Sequence, residues 1–325
     1  MTSHATRLAA HARVSAGLAG LTDRQLSALL DAATPLGTGI GGVTSRLEVD
    51  GTEVFVKRVP LTELEQRPEH RRSTANLFDL PVHYQYGVGS AGFGAWRELA
   101  VHELTTGWVL DGAQQNFPLL HHARVLPADP PPAEGLVGFL GGMDGAVAYW
   151  GGSPAIRARL TAITRATAAV VLFLEYVPHT LGDWLAGQDG AGHPWAAGQL
   201  AETTAFLRAN GLVHFDAHFR NVLTDGHRLY FADFGLSLSE SFELTDAERE
   251  FLDRHRGYDA AYTVAHLLNH HLPEGLAAAW AAGQRPDGTA PELAALLDRH
   301  AGTAARMGGF LTALRADKST RYPLD

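Results

Sequence analysis

The residues with most chemical potential fall in two short stretches. One is His214-Phe215-Asp216-Ala217-His218-Phe219-Arg220-Asn221; the other is Phe231-Ala232-Asp233-Phe234-Gly235. Asp216 and Asp233 are separated by one predicted hairpin, NVLTD and RLYFAD joined through Asp225-Gly226, so their carboxylates can converge. Asn221 and Asp233 bracket that hairpin and offer the oxygen ligands that a hard cation such as Mg²⁺ takes. Asp216 lacks an evident metal partner and suits the positioning of a hydroxyl group. Taken singly, each stretch also reads as ordinary turn and capping chemistry.

A second group lies near the amino terminus. Gly37, Gly39 and Gly42 stand in GTGIGG, and glycine backbone approaches phosphate oxygens closely with its N–H groups turned inward. A hairpin rather than a helix follows, which excludes the dinucleotide fingerprint. The absence of a following GKS or GKT excludes a P-loop ATPase. Lys57 sits in VFVKRV on the next strand. Turned inward, its ammonium is costly unless it meets a charge; turned outward, it is an ordinary edge lysine.

The elements that must position these residues are legible in outline. A helix is expected over Thr22 to Ala33, with Thr22 as cap. RLEV and EVFVKRV form a hairpin across Asp50-Gly51. A helix from Trp96 is expected to hold until Gly107, and a strand runs over His121 to Leu126. Pro127 to Gly152 reads as loops. Ala169 to Pro178 is a buried strand stopped by proline. A helix over Pro194 to Gly211 precedes the small hairpin, and the remainder is helical. The order gives an α+β protein, strand-rich and then mainly helical, with a boundary near Pro178. Residues 60–94 show no clear element.

Composition narrows the classes. The 325 residues are 46% hydrophobic, enough for a sizeable core, and contain no cysteine, which excludes disulfides and thiolate metal sites. A net charge of -9 argues against a general nucleic-acid binder. The start has no long apolar core and no run is long enough to cross a bilayer, so a soluble cytoplasmic protein without membrane association is expected.

Together these pieces resemble the protein-kinase-like superfamily, closest in pattern to its aminoglycoside- and choline-kinase-type small-molecule phosphotransferases, over roughly residues 35 to 275. The resemblance implies a bilobal fold. Its N-lobe, residues 1–177, carries an antiparallel sheet and insertions near 60–94 and 127–165; its helical C-lobe is residues 178–325. It implies ATP and Mg²⁺ as cofactors. Gly37, Gly39 and Gly42 match the loop over the ATP phosphates, Lys57 the phosphate-binding lysine, and Glu98 its carboxylate partner, with Glu103 as second candidate. Glu175 to Val177 match the backbone that holds adenine. Asp216 matches the catalytic aspartate, and Asn221 and Asp233 the metal ligands.

His214, Asp216, His218 and Asn221 give HxDxHxxN, the form similar to aminoglycoside-type enzymes, and His218 thereby joins the catalytic candidates. The stretch after Gly235 reaches a charged helix by about Thr245 without an APE-like element. Both features favour transfer to a hydroxyl of a small molecule. Three features depart from the protein-kinase pattern: Val43 directly follows Gly42, Lys57 and Glu98 lie far apart, and His218 stands where lysine is usual. The complete Asp233-Phe234-Gly235 is more usual in protein kinases, so a protein serine/threonine kinase is the alternative. An inactive kinase-fold scaffold and a non-catalytic metabolite-binding protein are the others. Helices after Ser241 are expected to shape the acceptor pocket, with Asp259, His266, His270 and His271 as polar candidates. The acidic net charge favours a cationic acceptor.

Overall fold

Strand β5 (Ala168–Glu175) is buried at every position from Ala168 to Leu174 because both of its faces are covered. A computed structural model describes residues 3–40, 42–188 and 192–323. In it β5 is an inner strand of a five-stranded sheet, order β1-β2-β3-β5-β4 and antiparallel throughout. The others are β1 (Thr34–Gly39), β2 (Gly42–Val49), β3 (Thr52–Leu61) and β4 (Leu120–Pro127). The β2–β3 hairpin turns at Asp50-Gly51 as expected, with both residues at positive φ, 49° and 72°, the conformation an Asp-Gly turn favours.

Alternation assigns the two faces. Ala169, Val171 and Phe173 join Val54 and Val56 against Val14, Leu18, Leu26 and Leu30. Those four residues belong to helices α1 (His4–Ala19) and α2 (Asp23–Asp31). Ala168, Val170, Leu172 and Leu174 join Val59 and Leu61 against Ala95, Trp96 and Leu99. Lys57 shares the parity of Val59 and Leu61, so it faces the helix Ala95–Leu110.

Three expectations change. Helix α1 had no predicted counterpart. The helix starting at Ala95 does not stop at Gly107 but runs to Leu110, because full burial of Val109 outweighs the roughly 1 kcal/mol helix cost of one glycine. Pro127 to Gly152 is not all loop, for Ala133–Val137 and Gly142–Tyr149 are helices, followed by Pro154–Ile163. Their Leu136, Val147, Trp150 and Ile156 pack with Leu80, Tyr84 and Phe93. The two stretches expected as separate insertions thus build one apolar cluster.

The second half is largely helical, with Gly192–Ala209, Tyr258–His270 and Pro291–Ala316 as its long members. Its core also takes in Val101, Val109, Phe117 and Leu119, so packing crosses the boundary drawn near Pro178. Val222–Thr224 pairs with Leu229–Phe231, and Leu212–Val213 with Leu238–Ser239. These ladders hold the two polar stretches side by side. Among the described residues no helix is long and apolar enough to cross a membrane.

Candidate active site

Lys57 is buried, and its Nζ lies 2.7 Å from Glu98 Oε1 and 2.7 Å from Asp233 Oδ1. The inward ammonium therefore has the charges its burial demands. Glu98, not Glu103, is its partner; Glu103 pairs with Arg72 at the surface. Asp233 has φ 61°, an uncommon conformation for a non-glycine residue that persists where surroundings over-determine it. Here the fully buried Phe234 ring fixes the turn, packed 4.9 Å from the His102 ring and 5.1 Å from that of His214.

The 214–221 loop is fastened from below. Asp259 accepts from the backbone N–H groups of His214 (2.7 Å) and Phe215 (3.0 Å). His214 Nε2 donates to Ala232 O (3.0 Å), and its Nδ1 accepts from the Asp216 N–H (3.3 Å). His214 is thus a brace between the two stretches. Phe215, at φ 64°, turns its ring into the core against Phe251 and Tyr258, which leaves Asp216 facing the cleft. Asn221 Nδ2 donates to Asp216 O (3.0 Å) and Oδ2 (3.2 Å), so its Oδ1 is the atom available to a cation. His218 Nε2 stands 3.8 Å from Asp216 Oδ2.

Gly39, Glu98, Asp216, His218, Asn221 and Asp233 all line one cavity of about 770 Å³ between the sheet and the helical part. Gly37, Gly42, Lys57, Glu175 and Val177 do not, although Lys57 is ion-paired to the lining carboxylates Glu98 and Asp233. Gly42, at φ 124°, faces Gly39 across the β1–β2 turn, and a Cβ there would run into Arg58 O; its bareness serves that close approach. Gly41, within the same glycine run, lies outside the described residues. The Glu175 carboxylate is turned away to Arg7, with Nε–Oε1 2.8 Å and Nη2–Oε2 2.7 Å, and its N–H is engaged by Leu119 O. Val177 is buried.

Sequence reasoning missed one part of the cleft. Gly87 to Gly92 line it, and a Cβ on Gly87 would overlap the Asp216 carboxylate, as one on Gly92 would overlap Gly235 O. The glycine run in HYQYGVGSAGFG was the available signal. Asp259, expected in an acceptor pocket, instead sits under the loop. Arg7 gave no local signal.

The electrostatics separate the two aspartates. Burial, then the charge of Asp233, pushes Asp216 up to about 8. Burial also works to raise Asp233, but the Lys57 ammonium outweighs it and the group titrates at about 2. Burial raises Glu98 to about 7 against the pull of Lys57, and burial keeps His102 neutral, down at about 3. The cleft therefore holds one permanently ionised carboxylate beside one that keeps its proton until about pH 8. Among the described residues no three His, Asp or Glu side chains converge as a ready-made metal cage. An ionised Asp233 and the Asn221 carboxamide, lining one cavity, suit a cation that keeps waters or ligand oxygens in its shell.

No protein-family model matches this chain, and no curated protein matches it at a significant level.

Proposed function

We propose that the chain is an ATP-dependent phosphotransferase of protein-kinase-like fold that moves the γ-phosphoryl group to a hydroxyl of a small molecule. The observation that carries this reading is Lys57 held between Glu98 and Asp233, two carboxylates that line one cavity together with Asp216 and Asn221. Each of these side chains has a role in such a transfer, and together they form one connected arrangement rather than scattered polar residues.

Lys57 and the turn at Gly39 orient the phosphates. Asn221 Oδ1 and Asp233 would hold Mg²⁺, which when bound offsets the charge that develops on the phosphate oxygens. The fit rests on the ionised state of Asp233 and on the Asn221 amide, whose Nδ2 is spent on Asp216. The acceptor oxygen bonds to the terminal phosphorus as the bond to the ADP oxygen breaks, and the hydroxyl proton passes to Asp216. The ionised form of Asp216 takes that proton, and its pKa near 8 makes it a stronger base than an ordinary carboxylate. His218, which lines the same cleft, orients acceptor or phosphate.

A small acceptor is favoured over a protein by the stretch after Gly235. It pairs at once through Leu238–Ser239 and enters the helix Asp246–Arg254, leaving little chain to cradle a peptide. The test is ATP turnover over a panel of hydroxylated small molecules and peptides, with nucleotide binding measured in parallel. Asp216→Asn is expected to lose transfer by about 10² to 10⁴-fold while still binding ATP–Mg²⁺. Undiminished turnover in that variant would sink the assignment, and labelling of peptides alone would move it to a protein kinase.

A further inference from the structure

A second cavity, about 490 Å³, opens beside the first and shares Gly87, His218, Arg220 and Arg315 with it. Its walls come from the helices Tyr258–His270 and Pro291–Ala316, and its volume lies within the range of small-ligand sites. Of its twelve lining residues none is acidic, whereas two are arginines and three are histidines. Arg220 and Arg315 are exposed, and among the described residues neither has a carboxylate within ion-pair distance. The histidine rings lie close together, His266 4.8 Å from His270 and 6.4 Å from His218.

A concave wall of unpaired guanidinium groups attracts anions and repels ammonium groups, and arginine's planar donor fork matches carboxylate and phosphate. The cavity leads to the reacting carboxylate, because His218 lines both spaces and stands 3.8 Å from Asp216. We infer that the acceptor is a small hydroxylated molecule bearing a carboxylate or phosphate, its anion held by Arg220 and Arg315 and its hydroxyl presented to Asp216. This rests on the phosphotransfer reading and gives it a substrate class. It also reverses what the net charge suggests, since a chain of net charge -9 has here gathered an acid-free pocket.

The experiment compares acceptors matched in size and differing in charge: sugar phosphates and hydroxy acids, the parent sugars and polyols, and amino sugars. The anionic set is expected to show kcat/KM at least about tenfold above the other two, and the split between carboxylates and phosphates identifies the anion. Thr312→Glu sets a negative charge on the exposed wall of the second cavity only. It should raise the acceptor KM about tenfold and leave the KM for ATP unchanged. Preference for neutral or amine acceptors would overturn the inference with phosphotransfer intact. So would an ATP KM that moves with the acceptor KM, which would give the arginines to the nucleotide.

Titration of inorganic phosphate into ADP-saturated protein provides a readout without turnover. Binding weakened about tenfold in Arg315→Ala supports the anion site; absent or unaltered binding overturns it. ADP binding is followed in the same titrations, so failure of the nucleotide reading shows as loss of ADP binding and is told apart from failure of the anion site.

Discussion

Asp216 is held where its charge is unwelcome. Its side chain is 20% exposed, and burial with the nearby Asp233 raises its pKa to about 8. A carboxylate raised in the folded state binds its proton more tightly there than in the unfolded chain. Folding is therefore least penalised below about pH 4, where both states are protonated. That stability drains away as pH rises from about 4 and is gone above about 8, where the native state too is ionised. Asn at this position keeps an acceptor for Asn221 and removes the charge. Asp216→Asn is thus expected to raise Tm at pH 8 by about 2 to 4 °C in the absence of divalent cations, while at pH 4 the two proteins melt together. Thermal unfolding in EDTA at the two pH values checks it, and equal melting at both would mean that the neighbours already compensate the charge. The same residue is expected to lose transfer, so stability and activity separate at one atom pair.

At the scale of elements, the chain from Gly87 to Gly92 decides how much room Asp216 has. Gly87 lies so close to the carboxylate that a Cβ would overlap Oδ1, and neighbouring Tyr86 anchors the segment by an O–H···Nε2 bond of 2.6 Å to His255. Gly87→Ala must therefore displace Asp216 rather than its own backbone. Misplacement of a reacting group by about 1 Å costs on the order of 10²-fold. The expected outcome is a drop in kcat of about 10 to 100-fold with an unchanged melting transition. An unaltered kcat would show that the segment yields instead.

This contact also marks the limit of sequence reasoning. Asp216, Asn221, Asp233 and Lys57 were picked out by their types, spacing and joint resemblance to one family pattern, with the direction of Lys57 left open, and β5 by its continuous apolar run. The segment at Gly87 was not, since its partner is Asp216, far along the chain. The helices within residues 133–163 were hidden likewise: Trp150 and Leu136 are buried by Tyr84 and Leu80, a contact no local period encodes.

For the whole molecule, Arg7 ties the amino-terminal helix to the end of β5. Its guanidinium meets Glu175 bidentately across 168 residues, and also donates to Gln115 O (3.1 Å) and Phe117 O (2.9 Å). Helix α1 thereby joins the end of β5 to the chain leading into β4. A lone arginine in an unassigned amino-terminal stretch carries no sign of such a partner, which is why only the folded protein reveals it. With side chains 2% and 19% exposed, the pair is shielded from the solvent screening that makes surface bridges weak. Removing one partner strands the other. Arg7→Met is accordingly expected to cost about 3 to 5 kcal/mol in urea unfolding, because Glu175 loses its partner and the two carbonyls lose their donor. Glu175→Gln in the Arg7→Met background should recover part of that loss, since it removes the stranded charge while the carbonyls stay unpaired. A cost below about 1 kcal/mol for Arg7→Met would place the pair with ordinary surface bridges. In that event α1 would be held by Val14 and Leu18 against the sheet, with Arg13 bonded to Thr52 and His11 to His121.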